Sequence, residues 1–274
     1  MTTSTRPALL VSGRVLTAGL AGWRPARLVE RNVLAYRRMW HVFVAGLTEP
    51  LLYLLSIGVG VGALVGEVPV GGGRTVPYEV FVAPGMLAST AMNGAVFDTT
   101  FNFFVKFKYA KTYDAVLATP LGVDDVAVGE VAWALLRGGI YATTFLVTMV
   151  VLGLVESWWA VLAVPAAVLI SYAFAGAGLA GTTWMRSFVD FDYVTLAVVP
   201  LFLFSATFFP LDRYPTVLRW VVQATPLHQG VVLERALVLG EIGWGALAPV
   251  AYLLAMGSVG LLVATRRLGV LLQR

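Results

Sequence analysis

Residues 126–154 read VAVGEVAWALLRGGIYATTFLVTMVVLGL, a run whose only ionisable side chains of the Asp, Glu, Lys and Arg types are Glu130 and Arg137. A hydrocarbon layer about 30 Å thick asks a helix for roughly 20 predominantly apolar residues, so this stretch is long enough to cross a bilayer. Five others have the same character, at 42–65, 78–104, 158–185, 191–209 and 245–265. None alternates with period two, which excludes a membrane β-barrel. Inside lipid every backbone N–H and C=O must be satisfied within the segment, so the spans are helices. The predicted fold class is therefore all-α: a polytopic membrane protein of six transmembrane helices forming one permease domain over residues 1–274. Composition agrees, with 59% hydrophobic and 12% charged residues and a mean hydropathy of +0.83, values outside those of soluble domains.

The basic residues give the orientation. With the N-terminus inside, Arg6, Arg14, Arg24, Arg27, Arg31, Arg37, Arg38, Lys106, Lys108, Lys111, Arg186, Arg266, Arg267 and Arg274 fall on the inner side. Only Arg74, Arg213, Arg219 and Arg235 fall outside, and Arg137 lies within a span. Lys and Arg accumulate on the cytoplasmic side of membrane proteins, so both termini are expected in the cytoplasm. The net charge of +4 then reports topology. Nucleic-acid binding would need a basic, aromatic soluble surface, and the sequence offers none.

Ahead of the first span, residues 23–40 form an amphipathic pattern. Val29, Val33, Tyr36 and Trp40 fall within about 60° on a helical wheel, opposite Arg24, Arg27, Arg31 and Arg38. That predicts an interfacial helix on the inner leaflet; a cytoplasmic extension of the first span is the alternative. The apolar run at residues 8–11 is too short for a signal peptide.

Cysteine is absent and the two histidines, His41 and His228, fall on opposite sides of the predicted membrane. Thiolate chemistry, disulfides and a zinc-protease pair are thereby excluded. No phosphate-cradling Gly-x-x-x-x-Gly-Lys-Ser/Thr motif occurs either, so an ATP-driven role would need its motor on another polypeptide. No metal, cofactor or catalytic site is expected in the chain.

Two segments between spans carry further information. The inner loop, KFKYAKTYDAVLATPLGVDD from Lys106 to Asp125, contains good helix formers and a Thr119-Pro120 stop. Its helix, 106–119, suits either docking in a cytoplasmic partner or lying at anionic lipid through its lysines. The outer segment 210–244 is too apolar for an ordinary loop and is broken at Pro215 and Pro226. Its two amphipathic pieces are predicted to dip into the outer leaflet and return, forming a cap.

These elements together resemble the membrane subunit of type-2 ABC exporters. The resemblance rests on Leu117-Ala118-Thr119-Pro120-Leu121 closing the inner helix, Gly129-Glu130 opening the third span, and Phe209-Pro210-Leu211-Asp212 with Pro215, Pro226-Leu227-His228 and Arg235 outside. Ala83-Pro84-Gly85-Met86 with Ala91-Met92-Asn93, and Asp124-Asp125-Val126, are similar to the nodulation lipo-oligosaccharide exporter permeases within that family. The resemblance implies a half-transporter that dimerises, with itself or a related permease, in the bacterial plasma membrane. It also implies a separate nucleotide-binding subunit that holds ATP and Mg. The inner helix would be the coupling helix, contacting that ATPase through Lys106, Tyr109, Lys111, Tyr113, Val116 and Leu117. Substrate would pass at the dimer interface along spans one, two and five, where Phe97, Phe101, Phe104, Phe202, Phe204 and Phe208 are candidate contacts for an amphipathic lipid-linked or lipo-oligosaccharide cargo. Drug or antibiotic efflux fits the same outline, and a proton-coupled secondary transporter using Asp98 or Glu130 is the alternative from another class.

Four ionisable residues fall within the spans: Glu49, Asp98, Glu130 and Arg137. Such groups face the bundle interior and pair. Glu130 and Arg137 are seven residues apart on one helix, about 10 Å along its axis, too far to pair with each other. Arg137 is therefore expected to take an acidic partner from another helix, Glu49 or Asp98.

Overall fold

The computed structural model describes residues 23–37, 40–70 and 73–272. Arg6, Arg14, Arg38 and Arg274, and the side chains of Trp40 and Glu49, lie outside the described residues. The chain is mostly helical. Helix α1 (Ala26–Arg37) is followed by α2 (Trp40–Leu55), which passes through a π-helical stretch (Ser56–Val61) into a last α-turn (Gly62–Val65). Next come α3 (Tyr78–Phe97), continued by π stretches at Asp98–Asn102 and Val105–Tyr109, and the short inner helix α4 (Thr112–Leu117). The remaining helices are α5 (Val123–Val151), α6 (Ala163–Thr182), α7 (Phe191–Leu203), α8 (Thr216–Ala224), α9 (Pro226–Leu239) and α10 (Leu247–Leu272).

Among the described residues four helical segments are long and apolar enough to cross a membrane: Tyr78–Tyr109, Val123–Val151, Trp158–Thr182 and Trp244–Leu272. They form the core of the fold. Helices α6 and α10 touch backbone to backbone: a Cβ on Gly176 would sit 2.4 Å from the Gly257 carbonyl oxygen, and one on Gly260 2.4 Å from the Gly176 carbonyl carbon. Lipid supplies no hydrophobic drive between helices, so close approach through small residues provides the attraction.

The structure departs from the all-α expectation at one place. Between α2 and α3 a small antiparallel hairpin pairs β1 (Glu67–Pro69) with β2 (Thr75–Pro77), Val68 opposite Val76. Both valines are buried, and Arg74 beyond the turn bonds Glu156 at 2.6 Å. The alternation in Glu67-Val68-Pro69 and Thr75-Val76-Pro77 around a glycine-rich turn is a short strand signal that the helical reading passed over.

The fifth apolar stretch also differs from its expected bounds. It was expected to be helical over 191–209, but α7 ends at Leu203 and 204–209 form bends. At about 1.5 Å per residue its 13 residues span roughly 20 Å. Pro200 lacks the N–H that a helix interior requires, and Ala206 adopts a left-handed φ of 58°. The freed carbonyls are taken by α9: the Ser205 oxygen lies 3.1 Å from His228 Nδ1, and Arg235 Nη2 donates to the Ala206 oxygen at 3.0 Å. Irregular backbone at membrane depth is tolerated where protein covers it in this way.

Candidate functional site

A cavity of about 890 Å³ opens between α2, α3, α5 and α7. Its walls differ in character. Helix α3 contributes Ser89, Thr90, Asn93 and Thr100, and α5 adds Arg137 and Tyr141. The rest is largely apolar or aromatic, with Phe97 and Phe101 from α3 and Val194, Val198 and Phe202 from α7. The Ser89, Thr90 and Thr100 hydroxyls donate to carbonyls four residues back, on Gly85, Met86 and Val96, so their polarity is largely spent internally. Asn93 is exposed on the cavity wall, where a side-chain amide is costly against hydrocarbon.

Of the six candidate path phenylalanines, Phe97, Phe101 and Phe202 line this cavity. Phe104 is buried below it, its ring 5.6 Å from Phe188 and 5.3 Å from Phe191. Phe208 packs edge-on against Phe202 at 5.1 Å. Phe204 is exposed just past the end of α7 at Leu203 and does not line the cavity.

Phe188 and Phe191 were missing from the sequence-based set, although both line the cavity. Phe188 sits on a tight turn in which Asp190 accepts from the backbone N–H groups of Arg186 and Ser187 at 2.6 and 3.1 Å. Those two bonds hold the exposed Asp190 carboxyl below the usual range. The turn lays the Phe188 ring on Tyr109, centroids 4.9 Å apart. The Phe-x-x-Phe spacing beside Asp190 was the available signal.

Of the four ionisable residues expected within the spans, the three whose side chains are described, Asp98, Glu130 and Arg137, fall into two clusters. In the upper one, Arg137 Nη1 donates to Asp98 Oδ1 at 2.6 Å, with the side chains 8% and 3% exposed. Asn102 Nδ2 also donates to that oxygen, at 2.7 Å, and Arg137 Nε donates to the Tyr141 hydroxyl at 3.2 Å. The guanidinium carbon lies over the Tyr36 and Tyr141 rings, 5.7 and 5.2 Å from their centroids. Of the two acids considered for Arg137, Asp98 meets it; the Glu49 side chain lies outside the described residues.

In the lower cluster Glu130, 3% exposed, receives Lys106 Nζ at 2.7 Å. Asn32 Nδ2 donates to the same oxygen at 3.4 Å, and Arg31 Nη2 stands 3.6 Å from the other oxygen. Asn32 in turn accepts from Arg31 at 3.0 Å and from Lys106 at 3.4 Å. Helix α1 is drawn onto α5 by this cluster and by Leu28, which lies so close that a Cβ on Gly129 would be 2.9 Å from it. The buried side of α1 therefore runs through Leu28, Val29 and Asn32. The helical wheel centres that face on Val29, Val33, Tyr36 and Trp40, the last outside the described side chains, and puts Arg31 opposite. A buried carboxylate outranks hydrophobicity in setting the rotation, since Glu130 needs donors.

The inner helix is shorter than predicted. Residues 106–109 continue α3, Lys111 turns the chain with φ 47°, and only Thr112–Leu117 form a separate α-helix. Of the coupling candidates, Tyr109 and Lys111 are exposed and Leu117 is half-buried. Lys106 is engaged with Glu130. Tyr113 and Val116 face inward: the Tyr113 ring is fully buried and stacks on Phe103 at 5.0 Å. Burial pushes its hydroxyl well above the ordinary phenol range, with the Glu130 carboxylate adding to the effect. The side presented outward is instead Asp114, Ala115 and Ala118.

Comparison with known proteins fits a transport role for this arrangement. Residues 26–239 match the ABC-2 type transporter family. The chain belongs to this family. Nodulation protein J of Rhizobium leguminosarum bv. trifolii is 34% identical over 225 residues, 81% of this chain and 81% of the relative. The protein of the same name from Rhizobium leguminosarum bv. viciae is 33% identical over 225 residues, 81% and 82% of the two chains. That from Rhizobium meliloti (strain 1021) is 31% identical over 223 residues, 80% and 83%. The resemblance to the nodulation permease subgroup is thus carried by most of the chain, and this ABC-2 permease is a multi-pass membrane subunit of an exporter.

Proposed function

We propose that the chain is the six-span permease half of an ATP-driven exporter that moves an amphipathic, lipid-linked oligosaccharide from the cytoplasmic side of the bacterial plasma membrane, with both termini inside. In this reading α2 and the short α7 supply the first and fifth spans, and α8 and α9 form the outer cap that dips into the outer leaflet. Two copies, or one copy and a related permease, enclose the path. A separate nucleotide-binding subunit binds ATP and Mg and docks on the inner loop through the outward side of α4, at Asp114, Ala115 and Ala118, with the exposed Tyr109 and Lys111 beside it.

One observation carries the proposal: the cavity is lined both by aromatic and aliphatic side chains and by polar ones, Asn93 on α3 and Arg137 and Tyr141 on α5. A sugar headgroup needs hydrogen-bonding and aromatic partners, whereas an acyl or polyprenyl tail is satisfied by hydrocarbon. A cavity with both along its length accommodates such a molecule without stripping the head of partners. ATP binding on the neighbouring subunit shifts the population between open and closed arrangements.

The test is affinity purification from native membranes, with and without Asp114→Arg and Ala115→Trp on the outward side of α4. Copurification of a P-loop ATPase in comparable amount, lost in the double variant while the permease stays folded, supports the reading. Absence of any ATPase under conditions that preserve membrane complexes sinks it. Export of a fluorescent N-acylated chitotetraose into inverted vesicles then separates a lipo-oligosaccharide cargo from a planar drug such as ethidium.

A further inference from the structure

We propose that Glu130 is the positioning residue through which displacement of the inner helix α4 reaches α1 and the membrane helices; this rests on the exporter reading above. The carboxylate sits where four elements meet. It is on the first turns of α5, takes Lys106 from the end of α3 at 2.7 Å, and takes Asn32 and Arg31 from α1 at 3.4 and 3.6 Å. From below, α4 inserts Tyr113, fully buried and stacked on Phe103 of the α3 end, close enough for the Glu130 carboxylate to help raise the pKa of its hydroxyl. No salt bridge joins α4 to α1, α3 or α5 among the described residues.

The contact with α4 differs from the others. Tyr113 Oη and Glu130 Oε1 are both buried and neither makes a hydrogen bond in this arrangement. Two buried polar groups within interaction range but unbonded favour any small shift that joins them. Lys106 and Asn32 already occupy the opposite carboxylate oxygen, so the Tyr113 bond forms without breaking theirs. A push on α4 from the cytoplasmic side then moves the carboxylate and, with it, the three side chains that grip it. Helix α1 follows because Leu28 packs on Gly129, the residue next to Glu130, too closely to slide freely.

The chain contains no cysteine, so spin labels can be placed without background. Labels at Leu34→Cys on α1 and Val147→Cys on the far end of α5, both exposed positions, report movement of α1 against the membrane helices. The complex with its ATPase subunit is reconstituted, and the label distance is compared without nucleotide and after trapping with ATP and vanadate. The expected result is a nucleotide-driven shift in the parent protein and its loss in Glu130→Gln with the ATPase still bound. The paired exchange Lys106→Glu with Glu130→Lys is expected to bring the shift back, which a merely structural role for Glu130 does not foresee. Tyr113→Phe, which removes one oxygen and keeps the stacked ring, is expected to shrink the shift and serves if Glu130→Gln fails to fold. A full shift in Glu130→Gln or in Tyr113→Phe overturns the inference while leaving the exporter reading intact, and so does a parent complex in which α1 does not move. A parent chain that binds no ATPase overturns both.

Discussion

The Asp98–Arg137 pair yields the most quantitative expectation. Its closest atoms are 2.6 Å apart and both side chains are almost entirely buried. At an effective dielectric of about 20 the Coulomb attraction at that distance is roughly 6 kcal/mol, and the loss of hydration on burying two ions offsets most of it. Removing one partner leaves the opposite charge without compensation, so Asp98→Asn and Arg137→Met should each destabilise by about 3–5 kcal/mol. The double variant removes both charges. It should cost only about 1–2 kcal/mol, reflecting the lost Tyr141 hydrogen bond and the cation–π contacts with Tyr36 and Tyr141. Reversible unfolding in bicelles for the parent, both singles and the double gives the interaction energy, expected at about 4 kcal/mol or more. A double variant as unstable as the sum of the singles would refute the pairing as the reason for the burial. Export by the same variants decides what else Arg137 does: a stable double variant that no longer exports would show that this cavity-lining guanidinium acts on the cargo as well as on Asp98.

Replacing Gly176 by Val puts side-chain atoms where the Gly257 carbonyl already lies, 2.4 Å from the Cβ position; α6 and α10 must separate, and loss of at least about 1–3 kcal/mol should appear as a lower melting temperature in detergent. Gly129→Leu meets Leu28 at 2.9 Å and the Pro25 carbonyl at 3.1 Å, and limited trypsinolysis should cut faster at Arg27 and Arg31 as α1 lifts from α5. Asp190→Ala deletes the acceptor of the Arg186 and Ser187 amides, so cleavage after Arg186 should also accelerate. Tyr113 has a raised folded-state pKa, so its contribution to stability is complete below the unfolded phenol value of about 10 and is lost as pH rises beyond it; the alkaline loss of stability should be shallower in Tyr113→Phe than in the parent protein.

Much of the helical frame was legible because its signals are local. Apolar length alone predicts spans at 126–154 and 158–185, where the structure has Val123–Val151 and Trp158–Thr182, and isolated charges inside such runs need partners. That logic led to Arg137 seeking an acid on another helix, but it could not choose between Glu49 and Asp98, since the choice depends on how α3 is rotated against α5. The phenylalanine set shows the same limit. Phe97 and Phe101, four apart on α3, reach the cavity together, whereas Phe204, two residues from Phe202 and beyond the end of α7 at Leu203, misses it. The family resemblance makes Tyr113 a contact for the ATPase, yet it is buried. Its actual direction depends on the left-handed turn at Lys111, which a lysine does not advertise.

The two charge clusters also explain why α3 departs from regular α-helix where it does. Its π stretches, Asp98–Asn102 and Val105–Tyr109, coincide with the residues that bond α5: Asp98 to Arg137 and Lys106 to Glu130. A π stretch widens the helix and changes the rotation of everything beyond it, and such stretches concentrate at functional sites. Asp98 and Lys106 are eight residues apart, close to 800° of turn in an α-helix, which rotates the second about 80° away from the first. Their partners Glu130 and Arg137, seven apart at close to 700°, differ by only about 20°. Without an adjustment α3 could not meet both from one side, and the slower turn per residue of a π stretch supplies part of the missing rotation. Shortening α3 by deleting Thr99, which removes the extra residue a π turn accommodates, should therefore break one ion pair while preserving the other. Parallel unfolding measurements on the deletion, alone and with Arg137→Met or Glu130→Gln, would identify which: the substitution at the already broken pair should add little. If both substitutions still cost as much as in the full-length chain, the π stretches are not what brings the two pairs into register.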